Sequence, residues 1–166
     1  MKIMPMTHAQ ANEYVHWHYK KPYTFYNIPP EGIEETYRDI FTNPNTHYFS
    51  VIKNDRLYGI YQYSLFSHRF EIGLGICPEE TGRGNGRAFV VDCIAFGRKQ
   101  FDYQGPICLE VADFNKRATH VYREVGFVER GREQRLSFGR PAYFITMELR
   151  GNGNIKRRVG GAEKMS

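Results

Sequence analysis

The sequence is short of the features that mark several protein classes. It holds 3 cysteines, and Cys77, Cys93 and Cys108 stand far apart inside apolar segments with no Cys-x-x-Cys pair. That excludes a disulfide scaffold or zinc ribbon and reads them as core thiols of a reducing compartment. The 6 histidines have no ligand spacing: His16 and His18 are too close for one helix face, and His8, His47, His68 and His120 are scattered. No metal is expected. No apolar run approaches a membrane span, and Met1-Lys-Ile-Met-Pro5 lacks a signal-peptide core, so the expectation is a soluble cytoplasmic protein. No internal repeat is apparent. A length of 166 residues with 41% hydrophobic content suits one compact domain with a full core, here residues 1–149.

Charge is also scarce where a nucleic-acid groove would need it. The chain carries a net +5. Arg150, Lys156, Arg157, Arg158 and Lys164 against Glu163 supply five minus one of this, leaving +1 for everything before them. Residues 150–166 are glycine-rich and poor in large apolar side chains, so they are expected to form a disordered basic end. Nucleic acid is not an expected partner, and only weak attraction to an acidic surface is left open.

What is present alternates helix and strand patterns. A short edge strand at 1–6 leads to Thr7, which can cap a helix with Ala11, Tyr14, Val15 and Trp17 on one side. His18 to Pro30 places aromatics in a proline-punctuated loop, a composition suited to lining a cleft. A helix over about 31–41 carries Glu31, Glu34, Glu35 and Asp39, a face that could attract a cation or simply be solvated. Residues 48–52 and 57–66 read as a hairpin around a turn at 53–56, with a third strand at 70–76. An apolar helix over about 84–100 is expected to pack deep on the sheet. It is followed by a central strand Ile107 to Ala112, a helix capped by Asp113 or Asn115 and ended by Gly126, and strands over 127–138 and 142–149. The order predicts an α+β layer fold around a mixed, largely antiparallel sheet of about seven strands flanked by about four helices.

The segment from Glu71 to Lys99 organises the chain. Gly73 and Gly75 interrupt a strand that runs into the loop Thr81-Gly-Arg-Gly-Asn-Gly-Arg87 and then into a helix. Free amides and the positive end of a helix dipole suit a pyrophosphate there, with Arg83 and Arg87 adding charge. A Walker loop would need Gly-Lys followed by Ser or Thr, and Gly86-Arg87-Ala88 supplies neither. A dinucleotide fingerprint would need its third glycine three residues after the second, whereas Gly82, Gly84 and Gly86 alternate. The bland alternative is a glycine-rich loop capping a core helix. Further on, Glu110 is the lone carboxylate in an apolar strand. Burial would push its pKa up toward that of a base, unless an Arg or Lys pairs with it.

The loop, the Glu110 strand and the block Asn115-Lys-Arg-Ala118 to Tyr122-Arg-Glu-Val-Gly-Phe127 together resemble the GNAT family of acyl-CoA-dependent N-acetyltransferases, over about residues 46–149. The family's loop begins with Gln or Arg where this chain has Thr81, while Gly84 and Gly86 match. The resemblance implies a GNAT-like three-layer fold and acetyl-CoA as co-substrate. Leu74, Gly75 and Ile76 would pair with the pantetheine arm, Gly82, Arg83, Gly84, Asn85, Gly86 and Arg87 would hold the pyrophosphate, and Asn115 would contact the arm near its thiol. The Leu-Glu-Val strand followed by Asn and Tyr is most similar to the branch that acetylates the N-terminal alanine of a ribosomal protein, which implies Glu110 as base and Tyr122 as acid. Glu71 lies near where other branches place their base. The implied reaction is acetyl transfer to a primary amine, small molecule or peptide N-terminus. A non-catalytic acyl-CoA-binding module and a basic RNA-associated protein are the rival readings. A homodimer is left open.

Overall fold

The computed structural model describes residues 1–151, so all of the basic tail beyond Gly151 lies outside the described residues. Among the described residues the chain forms β1 (Lys2–Pro5), α1 (His8–Val15), α2 (Ile33–Thr42), β2 (Thr46–Lys53), β3 (Arg56–Phe66), β4 (Arg69–Ile76), α3 (Gly86–Gln100), β5 (Ile107–Ala112), α4 (Lys116–Val125), β6 (Val128–Ser137) and β7 (Arg140–Leu149). Local chemistry explains several boundaries. Thr7 and Gln10 form a capping box at the start of α1. Asn54 and Asp55 both take positive φ, 51° and 61°, in the turn that joins β2 to β3. Gly126 ends α4 at φ 123°, a conformation that a side chain would strain.

The seven strands lie in the order β1-β2-β3-β4-β5-β7-β6. All neighbours are antiparallel except β4 and β5, which run parallel and pair only at Glu71 with Cys108. Beyond that pair the two central strands diverge. The sheet is therefore split open toward the C-terminal ends of β4 and β5, which is where α/β sheets commonly take ligands.

Alternation along each strand sorts residues onto two faces. Tyr61, Tyr63, Phe70, Ile72, Leu109, Ile145 and Met147 meet Phe89, Val90 and Cys93 of α3 in the larger core, and Ala118, Val121 and Tyr122 of α4 pack against it. Ile60 and Tyr48 meet Ala11 of α1 and Ile40 of α2 in a smaller core on the opposite face. The fold is thus three layers, as expected. Two hydroxyls of β3 fasten α3 to the sheet, Tyr61 to the Phe89 carbonyl at 3.1 Å and Tyr63 to the Cys93 carbonyl at 2.6 Å. The fit needs Gly59, because a β-carbon there would sit 2.6 Å from Phe89 Cζ and 2.8 Å from the Gly75 carbonyl oxygen. α3 is not buried all round, however: Val91 is 45% exposed on the helix's outer side.

Of the acidic residues of α2, Glu34 pairs with Arg38 in solvent. Asp39 is structural, accepting from the Tyr48 hydroxyl at 2.8 Å and from Asn43 at 2.8 Å. Cys77 and Cys93 are buried, while Cys108 is half-buried and its Sγ accepts from Arg69 Nε at 3.2 Å.

Candidate active site

The open edge of β4 follows from the phase of its ladder with β3. The Cys77 amide bonds the Tyr58 carbonyl at 2.8 Å, and Ile60 pairs with Gly75 and Gln62 with Gly73. By alternation these residues spend their N–H and C=O on β3, while Leu74 and Ile76 turn theirs toward β5. Since β5 has already diverged there, the polar groups of Leu74 face a gap. Of the three residues expected to contact an extended arm, Leu74 and Ile76 offer backbone to it and Gly75 does not. Gly75 instead lets Trp17 and Tyr19 come close, 4.0 and 3.7 Å from where its β-carbon would be. The Tyr19 hydroxyl donates to the Ile76 carbonyl at 2.7 Å, leaving the Ile76 N–H.

The loop before α3 is built to present amides. A single 3₁₀ turn at Pro78–Glu80 is closed by Thr81, whose hydroxyl donates to the Pro78 carbonyl at 2.8 Å. Gly82 and Gly84 then take φ of 75° and 79°, which turns successive N–H groups inward. The first amide of the segment to find a carbonyl is that of Phe89, bonded to Asn85 at 3.1 Å. Apart from the turn at Thr81–Gly82, no amide from Gly82 through Ala88 makes a well-directed hydrogen bond among the described residues. Asn85 makes no side-chain cap and the first turn of α3 holds no acid. Among the described residues Arg83 is held only by an exposed pair with Glu80, and Arg87 only by a 3.5 Å contact with the Glu124 carbonyl. Free amides, a helix dipole and two exposed guanidiniums fit a diphosphate. The chain therefore fits coenzyme A along two surfaces, the cradle and the β4 edge.

Where β4 and β5 part, a cavity of about 220 Å³ is lined by Gln62, Ser64, Glu71, Ile72, Gly73, Glu110 and Phe144. The two candidate bases are thus brought together. Arg135 of β6 grips Glu110, donating from Nη1 to Oε1 at 2.7 Å. Its Nη2 forms an ion pair with Oε2, and Arg69 Nη2 lies 3.7 Å from the same oxygen. Neither guanidinium gives Oε2 a well-directed hydrogen bond. The lone carboxylate of the apolar strand therefore has its explanation in two arginines, the alternative weighed from the sequence. Glu71 has a looser hold, with Arg69 Nη2 at 3.1 Å. Burial pushes its pKa above the ordinary value of 4.5; Arg69 pulls it down, the Glu110 charge pushes it up and Arg135 opposes that.

Asn115 caps α4, its Oδ1 accepting from the Ala118 amide at 3.1 Å, and its Nδ2 donates to the Tyr26 hydroxyl at 3.0 Å. Tyr122, on the inner side of α4, packs edge-on against Phe127. Among the described residues its hydroxyl has no partner, and burial raises its pKa above that of free tyrosine. Sequence reasoning did not find Arg69, Arg135 or Tyr26. Arg135 sits in a strand of alternating charge that reads as solvated, and only the β6–β7–β5 pairing carries it to Glu110. Tyr26 gave a weak signal as one of several aromatics in the 18–30 loop.

Among the described residues no group of histidines, cysteines and carboxylates could hold a metal ion, and no helix is long and apolar enough to cross a membrane. A family model described as Acetyltransferase (GNAT) family matches residues 12–127. No curated protein matches the chain. Solved structures with the same fold include a chimera of spermidine N-acetyltransferase SpeG from Vibrio cholerae and hSSAT, at 22% identity, covering 90% of this chain and 96% of that one with a TM-score of 0.71. The Vibrio cholerae spermidine N-acetyltransferase in complex with CoA and spermine is 21% identical over 90% of this chain and 95% of that one, TM-score 0.67. A dodecameric structure of that enzyme in an intermediate state is 22% identical over 94% and 96%, TM-score 0.69.

Proposed function

Because the chain belongs to the acetyltransferase (GNAT) family, it is an acyl-CoA-dependent N-acetyltransferase, and we propose that the amine is acetylated in the cavity between β4 and β5, with Glu71 as its base and Tyr122 as the acid. The observation that carries this reading is the pair of carboxylates, Glu71 and Glu110, in one cavity beside the open edge of β4.

Acetyl-CoA supplies the activated acyl group. The residues of the chain have the remaining work. The amides of 82–88 and the edge of Leu74 and Ile76 hold the cofactor so that its thioester reaches the cavity, worth much of the rate through orientation alone. An amine attacks only when neutral, so a carboxylate must take its proton. Glu110, the base expected from the sequence, has both oxygens facing guanidiniums. Glu71 is half-buried, keeps one oxygen outside its arginine pair, and its raised pKa brings it closer to the working range of a base. It is therefore the first candidate and Glu110 the second, oriented by Arg135. Tyr122 remains protonated at neutral pH and can give its proton to the departing sulfur.

Acceptor chemistry divides two ways. The structural neighbours are spermidine and spermine enzymes, which favours a polyamine. The Leu109-Glu110-Val111 strand with Asn115 and Tyr122 resembles the branch that modifies an N-terminal alanine, which favours a peptide amine. In the cavity itself Glu71 and Glu110 are balanced by Arg69 and Arg135, so no carboxylate is left over for a second ammonium there. Oligomer formation and a cytoplasmic location are part of the same proposal. An acetyl-CoA turnover screen over polyamines, amino acids, aminoglycosides and peptide N-termini tests it. Turnover of any class supports the reaction, and binding of acetyl-CoA with no turnover would favour a non-catalytic acyl-CoA-binding module.

A further inference from the structure

We propose that the Tyr26 hydroxyl donates a hydrogen bond to the carbonyl oxygen of the acyl thioester, a contact that Asn115 sets up but does not itself make. The inference rests on acetyl-CoA being the co-substrate. Its geometric basis starts at the cap of α4. The Ala118 amide needs an acceptor and takes Asn115 Oδ1, so the other end of that side chain, Nδ2, is fixed toward Tyr26. The phenol oxygen thus accepts from Asn115 at 3.0 Å. A tyrosine hydroxyl has one proton to give and two lone pairs to fill. Asn115 Nδ2 takes one lone pair, and among the described residues no hydrogen bond uses the phenol proton, which Tyr26 therefore still has to give.

The ring is held where that proton is useful. Ala112 ends β5 at the wide end of the split, and the 18–30 loop bridges the two lips of the gap. Tyr19 fastens the β4 lip through the Ile76 carbonyl at 2.7 Å, and Tyr26 fastens the β5 lip through Asn115. Between them Phe25 packs on Phe114 and Phe144, at 5.6 and 6.1 Å between ring centres. Tyr26 itself lies 5.8 Å from Phe114. Packed on one side against Phe114 and tied by Asn115, the partly exposed phenol is restrained before it meets a ligand, which lowers the entropy lost on contact. Tyr19 has meanwhile removed one acceptor from the gap by covering the Ile76 carbonyl. The gap then holds three donors, the Leu74 and Ile76 amides and the Tyr26 O–H, against one remaining backbone acceptor on β4, the Leu74 carbonyl. A carbonyl oxygen suits such a donor better than sulfur, a weak acceptor. Tyr26 and Tyr122, close enough to influence each other electrostatically, would then divide the thioester between them, oxygen to Tyr26 and sulfur to Tyr122.

The test compares Tyr26→Phe, Asn115→Asp and the double variant with the parent by calorimetry, using acetyl-CoA and CoA as separate ligands, and by steady-state turnover. Aspartate keeps the cap, since its carboxylate still accepts from Ala118, but toward Tyr26 it is an acceptor and draws the phenol proton to itself. Both single variants are expected to weaken acetyl-CoA about 3- to 10-fold, the share of one neutral hydrogen bond, and to leave CoA within about twofold. Turnover should fall about 100-fold, the scale of a lost donor to a developing oxyanion. The double variant should be no worse than the worse single one, because both remove one contact. Equal weakening of the two ligands, additive losses, or Tyr26→Phe behaving as the parent would each overturn the contact alone. A parent that binds neither ligand would overturn the co-substrate reading beneath it.

Discussion

Replacing Glu71 by glutamine separates the proposed chemistry from the charge network that surrounds it. The substitution keeps shape and removes the ability to take a proton. A positioned base is worth about 100- to 10,000-fold, or ~3 to ~5 kcal/mol of barrier. The effect on stability is smaller and its sign can be worked out. The pair with Arg69 at 3.1 Å has the arginine side chain 42% exposed, so losing it costs on the order of 0.2 to 1 kcal/mol. Against that, the folded-state pKa of Glu71 is raised above 4.5. A raised carboxylate favours folding below its unfolded pKa, and that contribution is lost as pH rises through the folded pKa, so ionised Glu71 burdens the fold at neutral pH. Glutamine removes that burden, which is a net one because the raised pKa already includes the Arg69 attraction, so the change in stability is small and not unfavourable. Glu71→Gln should therefore melt close to the parent at neutral pH while losing turnover by orders of magnitude. The parent's rate should fall on the acid side through a pKa above 4.5, and the residual rate of Glu71→Gln should lack that limb. The assay is thiol release from acetyl-CoA over about pH 5 to about pH 9, with Glu110→Gln alongside and thermal denaturation as the control. Turnover retained in Glu71→Gln but lost in a folded Glu110→Gln would refute the assignment and return the base to Glu110.

Two further substitutions probe the acid and the frame. Tyr122→Phe removes a hydroxyl that has no partner among the described residues, so stability should change by less than ~0.5 kcal/mol, and turnover should drop about 100- to 10,000-fold with acetyl-CoA affinity intact; an unchanged rate would take Tyr122 out of the mechanism. Gly97→Ala drives a β-carbon into the ring of Tyr63, whose hydroxyl holds α3 by the Cys93 carbonyl. It should cost about 1 to 3 kcal/mol by overpacking, read as a lower melting temperature, and a neutral result would mean that α3 shifts freely on the sheet.

Most of the fold was legible because its signals are local. The capping box at Thr7, the Asn54-Asp55 turn, the Asn115 cap and the Gly126 stop each fix a boundary within a few residues of the sequence that encodes it. The strand Ile107–Ala112 falls where its apolar run lies. The cradle was legible for the same reason, since alternating glycines before an apolar helix carry their geometry with them. The surroundings of Glu110 were not. Its chemistry depends on Arg135, 25 residues away in sequence, reached across β7, and on Arg69 from the strand beyond the split. Periodicity marks which face a residue takes but not which charge will stand opposite it. Gly75 shows a subtler gap: its strand was correctly read, yet which of Leu74, Gly75 and Ile76 turns its backbone outward depends on the phase of the β3 ladder. The link between Tyr26 and Asn115, 89 residues apart, lies equally beyond local reading.

Calorimetric titration of the purified protein with acetyl-CoA tests the central claim most directly, that unpaired amides from Gly82 to Ala88 and the free edge of β4 hold this cofactor. The account predicts saturable one-site binding at or below about 1 mM, the upper end of ordinary enzyme substrate constants. No heat of binding at that concentration, from a protein shown to be folded, would contradict it.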